Sequence, residues 1–423
     1  MTSQMPRIGW TGLGAMGGGM ATNLVKKGFK VTGYDVYQPL VDKFVQAGGT
    51  AAKTPKEAAN GVDFFISMVA NAAQNEALLF DGSDAAIHSI GQHKTFILCS
   101  TCPPDFAIAL RKRFDDAGRS DIRLLDCPVS GGTIRAADGT LSIFESGPEE
   151  HLEAAHEVLQ SMSANLYRMG PIPNGSKTKC VHQLLAATNI ISASEAMGIA
   201  ATVGLNTQAV YEHVNESDGA SFMFENRVPH MLKNDWSPFS ALGIILKDAS
   251  IVTAVARQEA FATPLVSTAE QEYFRGVGQG LLKDDDAKLV QMYLPRDKSD
   301  LVSVKAEADI KMVKSHQISK EMVADLLAGI HLAASMECMA FCKKLGIDRK
   351  LMYEIVSKAA GWSAIFVKHI PGMLEKDSWC LEDCAAAESV GSSLATIVEK
   401  CHLIKYPCPM AEQALTQFAF ARL

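Results

Sequence analysis

Arg7-Ile8-Gly9-Trp10-Thr11-Gly12-Leu13-Gly14-Ala15-Met16-Gly17 carries an apolar stretch straight into three spaced glycines, and the helix-like run Met20–Lys27 follows. Glycines gather in any tight turn, so the Gly-x-Gly-x-x-Gly spacing is weak evidence alone. Here each glycine has the context that its task demands: Gly12 at the strand-to-helix turn, Gly14 where backbone must approach a pyrophosphate, Gly17 where helix meets strand. The helix N-terminus then offers free N–H groups and a partial positive charge to phosphates. A dinucleotide-binding βαβ unit is the expectation, with Gly12, Leu13, Gly14, Ala15, Met16 and Gly17 as cofactor residues. Asp35 closes the next apolar strand 23 residues after Gly12, close to the roughly 20 expected of a carboxylate that bonds the adenosine ribose hydroxyls. It repels a 2′-phosphate, and no Arg or Lys follows within Val36–Leu40. The expected cofactor is therefore NAD rather than NADP.

Further apolar strands continue the α/β alternation at Phe64–Val69, Thr95–Leu98 and Arg123–Leu125. Ligands of open α/β sheets bind outside the carboxyl ends of strands. That places Met68 and Val69, and likewise Ser100 and Thr101, along the nicotinamide half of the cofactor site, although Met68 and Val69 read equally well as core.

A chain of 423 residues is too long for one ordinary core and predicts two or three domains. Its formal charge of −7 argues against nucleic-acid or anionic-membrane partners, and no apolar stretch is expected to span a bilayer. Ten cysteines lack a regular framework, and Cys99-x-x-Cys102 is followed at once by Pro103 and Pro104. They read as reduced thiols with no metal site. A cytoplasmic location is expected, with a peroxisomal one as the alternative, because Ala421-Arg422-Leu423 resembles the C-terminal peroxisomal address.

After about residue 170 the texture becomes helical, with long runs at Lys179–Val203 and Ser237–Arg257, Gly204 at a helix stop and Pro238 in a first turn. This half repeats itself. Leu184, Glu195, Gly204, Tyr211, Phe224 and Pro229 recur as Leu326, Glu337, Gly346, Tyr353, Phe366 and Pro371, each pair 142 residues apart, and 181–232 shares 16 of 52 positions with 323–374. The expected organisation is an N-terminal Rossmann domain at 1–173 followed by two tandem all-α domains, at 174–315 and 316–423. At the same offset Glu321, Ala324 and Asp325 stand for Lys179, His182 and Gln183, so the second helical copy carries no counterpart of the chemistry below.

Asp126-Cys127-Pro128-Val129-Ser130-Gly131-Gly132 ends a strand and turns on two glycines. The Ser130 hydroxyl and the bare N–H groups of Gly131 and Gly132 suit a carboxylate, though the stretch also reads as an ordinary Gly-Gly turn. Gly175-Ser176-Lys177-Thr178-Lys179 opens the long helix, in which Lys179, His182 and Gln183 share one face. Leu184, Leu185, Ala186 and Ala187 make that region apolar. Desolvation there can bring a lysine down from its ordinary 10.4 into the range of acid–base work. His182 is the alternative base, or a satisfied core residue.

These motifs, with Ala137-Asp138-Gly139-Thr140-Leu141 and Lys247-Asp248, resemble the β-hydroxyacid dehydrogenases related to 3-hydroxyisobutyrate and 6-phosphogluconate dehydrogenase, over roughly residues 5–295. The resemblance implies an NAD-dependent oxidoreductase acting on a small hydroxy acid, with Lys179 as catalytic acid–base. It further implies that Ser130, Gly131 and Gly132 hold the substrate carboxylate, and that Lys247 approaches nicotinamide and substrate, beside Asp248 on the cofactor side. His182-Gln183 replaces the family's usual Asn-Asn and, with Phe224–Leu232, looks like its L-threonate dehydrogenase branch. A four-carbon sugar acid is then the first expectation, bound beside His182 and Gln183, and 3-hydroxyisobutyrate or another small hydroxy acid the second. The different-class alternative is an NAD-binding sensor without turnover. Relatives pair through their helical domains, so the second copy is expected to stand in for a partner subunit, giving a pseudo-dimeric monomer; a homodimer is the rival.

Overall fold

The computed structural model describes residues 5–294, 301 and 318–420. Most of 294–315, the charge-rich stretch whose sequence suits a connection between the two helical domains, and the tripeptide 421–423 thus lie outside the described residues. Residues 1–180 and 181–423 form two compact units.

The first unit is built on nine strands: β1 Arg7–Thr11, β2 Lys30–Tyr34, β3 Thr50–Ala51, β4 Phe64–Ser67, β5 Thr95–Leu98, β6 Arg123–Asp126, β7 Val129–Ser130, β8 Leu141–Ser146 and β9 Ser163–Gly170. They are ordered β3-β2-β1-β4-β5-β6-β8-β7, with β9 beside β8. The stretch from β3 to β6 is parallel throughout, and its 3-2-1-4-5-6 order is that of the dinucleotide-binding fold. Neighbouring residues of one strand serve opposite faces: Ile66 and Ile97 pack in one hydrophobic cluster with Ile8, Trp10 and Leu24, while Phe65 and Phe96 pack in another with Leu110 and Phe114. A parallel sheet needs both faces covered. Beyond β6 the sheet runs on through β8, antiparallel to β6 and β7 and parallel to β9.

The second unit is helical. Its elements run in the order Asn174–Thr202 (begun in the first unit), Thr207–Asn215, Phe222–Lys233, Leu242–Gln258 and Pro264–Gly278, then Lys320–Lys344, Arg349–Val356, Ala364–Lys376, Ala387–Leu403 and Pro409–Phe420. Among the described residues two helices, Asn174–Thr202 and Lys320–Lys344, are long and apolar enough to cross a bilayer, contrary to the sequence expectation. Their most apolar windows are 100% and 89% buried within the protein, so an all-round apolar surface here serves a core. Gly204 does end its helix, at φ +75°. Pro238 does not begin one. The Asp285 carboxylate accepts the N–H groups of Phe239 and Ser240, and Leu242 N–H goes to Asp284 O, so these donors are taken outside any helix and the helix starts only at Leu242.

Candidate active site

The glycine turn is a cradle by construction. Gly12 sits at φ +87°, and a Cβ there would lie 2.4 Å from the Met68 carbonyl oxygen; at Gly14 a Cβ would meet nothing within 4 Å. The turn is therefore closed behind and open in front. The helix Gly17–Lys26 that it feeds has no side-chain cap and no acidic residue in its first turn, leaving its N–H groups and dipole to an anion. Asp35 accepts Leu13 N–H at 2.7 Å through Oδ2 and Tyr37 N–H at 2.9 Å through Oδ1. Each oxygen keeps a further lone pair for a ribose hydroxyl, and the carboxylate also ties the glycine turn to the end of β2. These residues fit a nicotinamide dinucleotide. Ala15 and Met16 complete the turn, partly or fully exposed, while Leu13 is buried.

Met68 and Val69 are half-buried just past β4 and pack against the two sheet cores, as the core reading expects. Thr101 is half-buried past β5. Ser100 is fully buried and its hydroxyl finds no partner, so of the two residues predicted there only Thr101 reaches a surface that a ligand can touch.

Ser130 ends β7, and Gly131 and Gly132 follow at φ +140° and +73°, the second opening the helix Gly132–Asp138. A Cβ at Gly131 would meet Arg135 and Leu141 side chains at 2.9–3.1 Å, so the turn requires glycine. Four residues upstream, the buried Asp126 accepts Ser176 Oγ at 2.6 Å, Ser176 N–H at 2.8 Å and Ser146 Oγ at 3.1 Å. A carboxylate thereby closes the first turn of the Asn174–Thr202 helix, one turn before Lys179, and favours its positive end. Burial outweighs those hydrogen bonds and raises the Asp126 carboxyl to about 6. Gly175 makes the approach possible, since a Cβ there would stand 2.5 Å from the Asp126 and Phe144 carbonyl oxygens. Sequence reading missed this clamp, because nothing in the spacing of 50 residues links Asp126 to Ser176. Lys179 itself is only 7% exposed, in keeping with the apolar face expected of it.

In the second unit, Gln183 Nε2 donates to Asp248 Oδ2 at 2.5 Å. Lys247 Nζ stands 2.8 Å from Asp248 Oδ1, an ion pair by distance that is not aligned as a hydrogen bond. Asp248, assigned to the cofactor on resemblance, is 5% exposed and serves as the anchor of the Gln183 amide. His182 is fully buried: its Nδ1 faces Gln183 Oε1 at 3.2 Å and its Nε2 lies 3.0 Å from Gly361 N. The structure thus brings His182, Gln183, Lys247 and Asp248 together, and adds Gly361, which no motif announced.

Residues 7–170 match the NAD-binding domain of 6-phosphogluconate dehydrogenase. Residues 174–293 and again 318–422 match the NAD-binding domain of NADP-dependent 3-hydroxyisobutyrate dehydrogenase. The chain belongs to the 6-phosphogluconate and 3-hydroxyisobutyrate dehydrogenase family. L-threonate dehydrogenase of Cupriavidus necator is 39% identical over 287 residues, 68% of this chain and 95% of that protein. A 3-hydroxyisobutyrate dehydrogenase structure from Salmonella typhimurium is 33% identical with a TM-score of 0.63, covering 68% of this chain and 99% of its own. The 6-phosphogluconate dehydrogenase of Plasmodium falciparum, 17% identical, shares the fold over 99% of this chain and 93% of its own, at a TM-score of 0.69. As a member of this dehydrogenase family the chain is a nicotinamide-dependent hydroxy-acid dehydrogenase.

Proposed function

We propose that the chain oxidises a four-carbon sugar acid, L-threonate first, with NAD as acceptor and Lys179 as general base. The observation that carries this reading is the string His182-Gln183-Leu184-Leu185-Ala186 on the Lys179 helix, supported by the 39% identity to an L-threonate dehydrogenase. Bound NAD supplies the hydride acceptor. Lys179 Nζ takes the carbinol proton in oxidation and returns it in reduction. The Ser130 hydroxyl and the N–H groups of Gly131 and Gly132 hold the substrate carboxylate, where hydrogen bonds to a charged acceptor are strongest. Gln183, its amide anchored on Asp248, offers hydrogen bonds to the additional hydroxyls that distinguish a sugar acid from 3-hydroxyisobutyrate. Turnover of a hydroxy-acid panel by the full-length protein with NAD and NADP tests the assignment. L-Threonate should give the highest kcat/KM, and preference for 3-hydroxyisobutyrate or L-serine would overturn it.

We further infer that residues 316–423 take the place of a partner subunit's helical domain. Two hydrogen bonds, Phe222 N–H to Trp362 O and Ala364 N–H to Ala220 O, flank the antiparallel bridge Ser221–Ser363, and a shift of 142 residues exchanges one for the other. That reciprocity is what a two-fold pairing of like surfaces produces. Light scattering should find a monomer. A full-length dimer whose truncation after residue 315 stays dimeric and active would refute it.

A further inference from the structure

The groups around His182 fix more than its position. Gly361 N–H is a donor only, so His182 Nε2 must be the unprotonated, accepting nitrogen. The ring proton of a neutral imidazole then resides on Nδ1, where it is donated to Gln183 Oε1. With its oxygen engaged, Gln183 must present its NH2 to Asp248, as the 2.5 Å contact from Nε2 to Oδ2 requires. One backbone N–H therefore sets a ring tautomer, the tautomer sets which way an amide points, and the amide lies one helical turn after Lys179.

The contact is built closely. A Cβ at Gly361 would meet Leu185 at 3.3 Å and His182 Cδ2 at 3.4 Å, so the glycine backbone lies directly against the ring. The loop that brings it there is pinned beside the Ser221–Ser363 bridge, two residues further on.

We propose that Gly361 and His182 are positioning residues for the reaction: the Gly361 N–H holds His182 in its Nδ1-protonated neutral form, and His182 thereby orients the Gln183 amide toward the substrate. The copy that has lost its own lysine still takes part in catalysis by supplying this donor. The proposal rests on Lys179 and Gln183 being substrate-facing, and its first test does not depend on turnover.

Full-length protein labelled with 15N-histidine, with His182→Asn to assign the ring, reports the tautomer directly. The expected signal is a neutral ring protonated at Nδ1, and an Nε2-protonated or doubly protonated ring at neutral pH would overturn the proposal. The second test is kinetic. His182→Leu removes the acceptor of the Gly361 N–H and the ring donor to Gln183 Oε1, a loss that corresponds to roughly five- to a hundredfold. It should raise the hydroxy-acid KM within that range, leave the dissociation constant for NAD unchanged, and be partly reversed in His182→Asn, whose amide offers one acceptor and one donor. An unchanged KM in His182→Leu would overturn the relay. A protein with the expected tautomer that turns over no hydroxy acid would instead remove the functional reading beneath it, and with it the positioning role.

Discussion

Glu195 and Glu337, 142 residues apart, each close the first turn of a helix belonging to the other's half of the helical unit. Glu195 accepts Met410 and Ala411 N–H at 2.9 and 3.0 Å; Glu337 accepts Leu265 and Val266 N–H at 3.0 and 3.2 Å. Both helices begin with proline, at Pro264 and Pro409, so the orphan donors start one residue further in. Burial dominates both carboxyls and lifts them, over the pull of those hydrogen bonds, to about 8 for Glu195 and about 7 for Glu337.

A carboxyl raised above its unfolded value binds its proton more tightly in the native state. Its contribution to stability is full below about pH 4.5 and is lost as pH rises through the folded value. The unfolding midpoint should therefore fall between about pH 5 and pH 8. Replacing both acids, Glu195→Gln with Glu337→Gln, should flatten that slope in thermal melts. A slope as steep as that of the unsubstituted protein would place the titration elsewhere.

Lys179→Ala should lower kcat by about 10²–10⁴, the range of a positioned acid–base group, with little change in NAD binding. Stopped-flow and fluorescence titration separate the two quantities. Near-normal kcat would pass the proton to another group.

Asp126→Ala leaves the N–H and hydroxyl of Ser176 without their acceptor, a loss on the order of 1–3 kcal/mol. The unfolding midpoint should drop accordingly in denaturant melts, and kcat should fall although Asp126 is fully buried. Unimpaired stability would show the clamp to be dispensable.

Asp35→Ala should weaken NAD without creating a good NADP enzyme, because the Leu13 and Tyr37 N–H anchors are lost and no basic residue follows within Val36–Leu40. NADP should stay below NAD in kcat/KM for the unsubstituted protein, and equality would sink the assignment.

Local features were legible in the sequence and long-range pairings were not. Gly12, Gly14, Gly17 and Asp35 announce the cradle because each sits next to the strand or helix that gives it meaning. Thr95–Leu98 is read to the residue because Lys94 precedes its apolar run and Cys99-Ser100-Thr101 follow it. The antiparallel extension through β7 and β8 escaped notice, since Leu141–Ser146 is buried on both faces and shows no alternation. Pro238 misled because an acid 47 residues away, Asp285, takes the N–H groups of Phe239 and Ser240 that a helix would have started from. Asp126 with Ser176 and His182 with Gly361 are pairings that only tertiary structure creates; a carboxylate capping a distant helix, or a backbone N–H facing a ring nitrogen, leaves no periodic trace. Asp248 was found, but as a cofactor residue rather than as the anchor of Gln183.

The Ser221–Ser363 bridge joins two serines at equivalent positions of one continuous chain. When identical subunits meet, any substitution in the shared surface appears on both sides at once, and a change helpful on one side is burdened by its copy on the other. In the pseudo-dimeric arrangement proposed above, each side mutates alone. Glu321 stands at the offset of Lys179, the proposed general base, and Gly361 at that of Gly219, so on the reading proposed above one half lacks the reacting groups while its loop serves the other. On the proposed replacement of a partner's helical domain, covalent connection converts a symmetric contact into one that selection can shape a half at a time.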